Sequence, residues 1–306
     1  MLIFFTLLAK LIPLYILILL GFLAGKYFKV QKESIAPLVI YIVAPVIFFN
    51  AAATTPISPA VISLPIVTFF MALIIMIFSY KIGKLFWRDG TANLFGFVSS
   101  MGNTGYFGLP VAIAVLPKEF IDPYLVSLIG ISLVDASGGY YIMARGKHTV
   151  RDSIMHVLKL PALYAFFIGI TLQLIHTPFG TEYTNLIINF KGAYVILGMM
   201  LVGLGIASMP SVSFDKTFLL FTFISKFLIW PALAFLLIFI DVNFLHFYSE
   251  GMHHILLLLS IVPVAANTVA YSTQFNIHPH KAALAVLLST LFALLYIPIF
   301  VTLFVK

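Results

Sequence analysis

The segment Gly102-Asn103-Thr104-Gly105-Tyr106-Phe107-Gly108-Leu109-Pro110 packs three glycines and a proline into nine residues of an otherwise apolar run. Glycine and proline are poor material for a continuous helix, so this run is expected to break in mid-span. Pro110 then suits the first turn of a second half-helix. A milder version is Pro263-Val-Ala-Ala-Asn267-Thr268. Two half-helices with converging N-termini concentrate partial positive charge, which is a natural seat for a carboxylate. Asn103 and Asn267 add hydrogen-bond donors without the cost of burying a full charge. The candidate substrate-binding set is therefore Asn103, Thr104, Gly105, Gly108, Pro110, Pro263, Asn267 and Thr268, with the amides near Gly105, Gly108 and Thr268 included. A packing reading stays open beside it, in which the glycines permit close helix contact and the asparagines join helices.

Ionisable residues inside apolar runs are costly in lipid and usually functional. Asp135, followed by Ser137, Gly138 and Gly139, is a candidate for binding a coupling proton or cation; its alternative is a structural acid at a helix bend. Lys226, just before Pro231, could draw an anion inward, pair with Asp135, or snorkel to an interface. Lys10 and Lys191 read as snorkelling residues at outer ends. His253-His254 and His278-Pro-His280 fall at opposite membrane boundaries and lack the i,i+4 pairing of a zinc helix, so no metal site is expected. No Gly-x-Ser-x-Gly or His-Glu-x-x-His pattern marks a catalytic centre.

These residues need a membrane to make sense. Of 306 residues, 62% are hydrophobic and 9% charged, against about 25% charged in soluble domains. Ten apolar runs follow one another: Leu2–Gly25, Ser34–Ala53, Ala60–Gly83, Asn93–Leu116, Pro123–Met143, Leu160–His176, Tyr183–Ala207, Thr217–Ile240, Met252–Phe275 and Pro279–Val305. Each approaches the roughly 20 residues a spanning helix needs, and the first reads as a retained helix rather than a signal peptide. The net charge of +7 is spread over short loops, which argues against nucleic acid as a partner. Lys26, Lys29 and Lys32; Lys81, Lys84 and Arg88; Arg145, Lys147, Arg151 and Lys159; Lys216; and Lys281 fall in alternate loops, so the positive-inside rule puts both termini outside. Absence of cysteine excludes disulfides and thiolate metal sites.

An internal repeat is visible. Pro13 leads to Gly21 and Pro161 to Gly169 with the same spacing, and Gly102-Asn103-Thr104 is echoed by Ala266-Asn267-Thr268. Five runs precede the second copy, so the halves insert in opposite senses, a plan used by secondary transporters with a midplane site. The expected organisation is one domain over residues 1–306, with repeat one at 1–143, a connector at 144–159 and repeat two at 160–306.

The box Asn103-Thr104-x-x-x-Gly108-x-Pro110, the Pro45-bearing second run and Asn276-Ile277-His278-Pro279 resemble the auxin efflux carrier family, with order and spacing kept over essentially the whole chain. Thr268 stands where plant carriers have a second proline, and the connector is shorter than theirs, so the likeness is to a compact prokaryotic member. The resemblance implies an all-α membrane protein: ten helices in two inverted five-helix repeats, the fourth and ninth broken and crossing. It also implies transport of organic anions such as malate, malonate or auxin-like acids, with Asn103 at the substrate site. The expectation is a permease working by alternating access in the cell (inner) membrane, without a cofactor, driven by H+, Na+ or the electrical potential. Its partners would be the lipid bilayer and a small organic anion, with room for a homodimer. A sodium-coupled bile-acid-type symporter is the nearest alternative; an intramembrane enzyme and a passive channel are more remote.

Overall fold

A computed structural model describes residues 2–144, 150–208 and 214–305. Its described residues are helical throughout, apart from turns and one isolated β-bridge. In chain order the helices are α1 (Leu2–Phe28), α2 (Lys32–Thr54), α3 (Pro59–Phe86), α4 (Thr91–Ser100), α5 (Thr104–Val115), α6 (Lys118–Met143) and α7 (Val150–Val157). Then follow α8 (Pro161–Leu174), α9 (Thr181–Ala207), α10 (Lys216–Leu245), α11 (Glu250–Ile261), α12 (Asn267–Gln274) and α13 (Pro279–Phe304). Among the described residues, seven helices are long and apolar enough to cross a membrane: α1, α2, α3, α6, α9, α10 and α13. The run Leu160–His176 yields the shorter α8, and Asn93–Leu116 and Met252–Phe275 each divide into two helices. Of the connector 144–159, Arg145 and Lys147 lie outside the described residues.

Prolines shape the long helices in a repeated way. Val39–Val43, Thr104–Gly108 and Ser225–Ile229 are each a single π-helical turn, and Pro45, Pro110 and Pro231 stand two residues beyond them. A proline has no N–H for the helical ladder and its ring crowds the carbonyl four residues back. Widening the preceding turn by one residue relieves that crowding. The carbonyl opposite Pro231 is that of Phe227, and it accepts a hydrogen bond from the Tyr296 hydroxyl at 2.8 Å.

Long helices pair where glycine lets backbones touch. α1 packs along α9, and α8 packs along α2. A Cβ added at Gly21 would run into the backbone of Met200, and one at Gly169 would lie 2.5 Å from the Phe49 carbonyl oxygen. The two glycines of the sequence repeat thus sit at close backbone contacts in corresponding helix pairs. In the absence of a hydrophobic drive between helices in lipid, such close packing is what holds them together.

The lysines read as snorkelling have specific partners. Lys10 donates to the carbonyl of Ala114 in the last turn of α5 at 2.8 Å. Lys191 pairs with Asp122 at 2.6 Å, both only partly exposed, so it joins α9 to α6. At the other end of the bundle, Lys281 of α13 pairs with Asp215 at 2.8 Å and His278 with Asp89 at 2.7 Å. Burial opposes ionisation of Asp215, but bonds from Lys281 and from the Phe218 amide outweigh it and hold its carboxyl below the usual range.

Gly203 is the critical contact of α9, since its Cβ position falls on the Ile18 carbonyl and 2.6 Å from the Phe22 nitrogen, whereas Gly205 faces open space. Gly203→Ala is expected to destabilise the protein by about 1–3 kcal/mol. Gly205→Ala should be neutral or stabilising by up to about 1 kcal/mol. Thermal unfolding of the two variants in one detergent checks both, and equal midpoints would argue against the α1–α9 contact.

Candidate functional site

The two broken runs meet at their breaks. Between α4 and α5 the chain is extended at Met101 and turns at Asn103; between α11 and α12 it unwinds over residues 262–266. Gly102 and Val264 form an antiparallel bridge. The Asn103 amide donates to the Pro263 carbonyl at 2.7 Å, and the Ala265 amide to the Met101 carbonyl at 3.1 Å. The amide of Val264, facing the other way, donates to Ser289 Oγ on α13 at 3.1 Å. Backbone that leaves a helix at membrane depth must find such partners within the protein.

At this crossing α5 and α12 both begin, so two helix N-termini point into it while α4 and α11 end there. Asn103 caps α5: its Oδ1 accepts from the Phe107 amide at 3.2 Å, and its carbonyl accepts from the Gly108 amide at 2.8 Å. Asn103 is buried, and its Nδ2 has no hydrogen-bond partner among the described residues. Thr104 lies beside it, its amide on the Gly102 carbonyl and its own carbonyl bound by the Tyr124 hydroxyl at 2.8 Å. Gly105 and Gly108 lie against the hydroxyls of Tyr194 and Tyr124, leaving no room for side chains. Pro110 is buried in the first turn of the α-helical part of α5, as expected.

On the second segment, Pro263 contributes its carbonyl to the bridge. Thr268 is fully buried, and both its amide and its hydroxyl are bonded to the Ala265 carbonyl, at 3.1 and 2.7 Å. Two of the proposed amide donors are therefore corrected: those of Gly108 and Thr268 are already used within the chain. Tightening each helix start around a side-chain or carbonyl cap consumes them. Gly105, Tyr106 and Asn267 supply the first-turn amides not engaged in that way.

Asn267 reaches sideways instead. Its Nδ2 donates to Asp135 Oδ2 at 2.6 Å, and the second oxygen of Asp135 and the amide oxygen of Asn267 are buried without a partner. Asp135 begins a π turn, Asp135–Gly139, in α6. Lys226 occupies another π turn, in α10, and is 0% exposed. It neither snorkels nor forms a salt bridge with Asp135; its ammonium stands over the Trp230 ring, 4.6 Å from the centroid.

Tyr124, Tyr194, Trp230 and Ser289 complete the site without having been singled out in the sequence. Trp230 donates its indole N–H to the Ser99 carbonyl at 2.8 Å. Ser289 carried a signal, as the start of a polar Ser-Thr pair inside the last apolar run; Tyr124 and Tyr194, among 14 Tyr, and Trp230, one of two Trp, carried none. The histidines stay apart: His253 binds Asp241 and His278 binds Asp89. Among the described residues no group of three metal-ligating side chains forms. A polar cleft of about 450 Å³ opens at the α3–α4 turn, lined by Tyr80, Arg88, Asp89, Gly90, Asn93, Tyr141 and Ile142, separate from the crossing.

Ser289 is the only side chain named here that holds the second unwound segment from outside the crossing. Ser289→Ala leaves the Val264 amide unpaired in a dry environment, at an expected cost of about 1–3 kcal/mol. A thermal midpoint no lower than that of the wild type would show that the amide has another acceptor.

Comparison with known proteins follows the same line. Residues 6–145, which include α4, α5 and Asn103, match the family described as membrane transport protein. An uncharacterized transporter of Methanocaldococcus jannaschii is 28% identical over 301 residues, covering 92% of this chain and 94% of its own length.

Proposed function

We propose that this chain, similar over residues 6–145 to a membrane transport protein family and over most of its length to an uncharacterized transporter, is a multi-pass membrane transporter that moves a small organic anion by alternating access about the crossing. The ligand class we favour is a carboxylate such as malate, malonate or an auxin-like acid. The observation that carries this reading is the convergence of the α5 and α12 N-termini on a segment where Asn103 Nδ2 is buried and unpaired. Helix N-termini favour negative charge, and an unpaired buried donor is costly until an acceptor arrives. Asn103 and the amides of Gly105, Tyr106 and Asn267 would hold the carboxylate. Thr104, Gly108, Pro110, Pro263 and Thr268 would shape its seat.

Coupling would run through Asp135. Asp135 is bonded to Asn267, the first residue of α12, and each of the two side chains keeps one unpaired buried oxygen, so a proton or a sodium ion taken up there would act directly on the crossing. These two unpaired oxygens keep the sodium-coupled bile-acid-type symporter as the second reading; Na+-dependent uptake would favour it.

The framework we infer is ten crossings in two inverted five-helix repeats. In support, the first helix of each half packs on the second helix of the other, α1 on α9 and α8 on α2, with repeat-related glycines at both contacts. Both halves also contain a break at the corresponding run. The lysine and arginine pattern favours the inner membrane with both termini outside. A second copy of the chain is a suitable partner for part of the exposed apolar face.

Reconstitution into proteoliposomes tests the reading, with labelled malate, malonate and indole-3-acetate and with pH and sodium gradients imposed separately. Saturable uptake of at least one acid is expected, reduced about tenfold or more by Asn103→Ala, which corresponds to roughly 1.4 kcal/mol. Asp135→Asn should remove the response to the driving gradient. No movement of any acid by folded, inserted protein would overturn the carboxylate assignment; full uptake by Asn103→Ala would overturn the site.

A further inference from the structure

Two ionisable side chains flank the crossing, Asp135 from α6 and Lys226 from α10, and they are not paired with each other. Asp135 is engaged by Asn267 on the second segment. Lys226 stands against the first: a Cβ added at Gly102 would lie 2.7 Å from its Nζ, so the missing side chain is the space the ammonium uses. Lys226 is 0% exposed, and its Nζ has no hydrogen-bond partner among the described residues. Trp230 lies beneath it and is fixed by its bond to the Ser99 carbonyl. Cation–π attraction offsets part of the desolvation of an ammonium and supplies no counter-charge.

Two further unpaired hydroxyls belong to residues linked to this site through Trp230 or through the chain. Ser99 Oγ, on the residue that anchors Trp230, and Thr222 Oγ1, one helical turn before Lys226, are both buried without partners. Hydroxyls can donate to an oxyanion while the ammonium balances its charge. On the next residue after Gly102, Asn103 Nδ2 is an unpaired donor as well. The ammonium and the amide thus belong to neighbouring positions of the first segment, Gly102 and Asn103.

A charge in a membrane-buried span with nothing to balance it is expensive, and removing it from a protein that does not use it would be stabilising. Met has similar length and no charge, and nothing in the packing around Gly102 and Trp230 requires the ammonium.

We propose that Lys226 is the specificity-determining cation of the crossing: held between Gly102 and Trp230, its ammonium meets the second negative group of the ligand, so that dicarboxylates are preferred to monocarboxylates. This rests on the carboxylate reading above. Asn103 and the helix N-termini would take one carboxylate and Lys226 the other, while Asp135, held against the other broken run, remains free for the coupling ion.

The test uses three ligands of one shape and decreasing charge, malonate, malonamate and malonamide, as competitors of labelled substrate in proteoliposomes. Wild type should favour malonate over malonamate by about tenfold or more. Lys226→Met should bring that ratio to within about threefold and leave malonamide unchanged, and Lys226→Arg should restore at least part of the preference. Lys226→Met should also melt no lower than wild type. A lower midpoint would mean a structural role and overturn the inference, as would an unchanged ratio, an equal loss for all three ligands, or a wild type that does not discriminate. If malonate and malonamate compete in an Asn103-dependent way and only the ratio is insensitive to Lys226, this assignment alone falls. If neither acid competes with wild type, the carboxylate reading falls with it.

Discussion

Two backbone hydrogen bonds, from Asn103 to Pro263 and from Ala265 to Met101, join the chain to itself at the point where it twice gives up helical structure. An unwound segment in the hydrocarbon region cannot turn to water for its amides and carbonyls, and each unsatisfied group costs several kcal/mol. Each break here is the other's solution. The first segment could not stay open without the second, and neither would be placed without α13, whose Ser289 takes the remaining amide of Val264. The close glycine contacts of α1 with α9 and α8 with α2 matter to the same end, since they bring the two halves near enough for the breaks to meet.

Once the crossing exists, its chemistry follows from what the breaks leave over. Prolines widen turns in α2, α5 and α10, and the widened turn of α10 presents Lys226 to Gly102. The Asp135 turn in α6, built on Gly138 and Gly139 rather than on proline, meets Asn267. The two ionisable groups are thus held against different broken runs, Lys226 at Gly102 and Asp135 at Asn267. A movement that slid the two segments apart would change the surroundings of both charges together, which is the kind of discrete rearrangement an alternating-access carrier needs.

The breaks were legible because glycine, proline and asparagine are conspicuous in runs that are otherwise Leu, Ile, Val and Phe. Asn103, Pro110 and Asn267 fall where their types and positions indicate. Local pattern stops there. It could not reveal that the amides of Gly108 and Thr268 would be consumed by caps, because that depends on backbone angles at Asn103 and Ala265. Nor could it pair Asn267 with Asp135, 132 residues away, or Lys191 with Asp122. Lys226 shows the same limit: its run left drawing in an anion, pairing with Asp135 and snorkelling all open, and its burial depends on the absent side chain of Gly102 in the break of another run.

The pairing of the two unwound segments can be examined directly, because the chain contains no cysteine of its own. Met101→Cys combined with Ala265→Cys places thiols on facing residues of the antiparallel pair, where Cα separations of about 4.5–5.5 Å suit a disulfide. Mild oxidation in membranes should cross-link the double variant at high yield and leave either single variant unlinked, as followed by mass spectrometry of the digested chain. Failure of the folded double variant to cross-link, with both thiols reactive towards a small alkylating agent, would contradict the crossing on which the account is built.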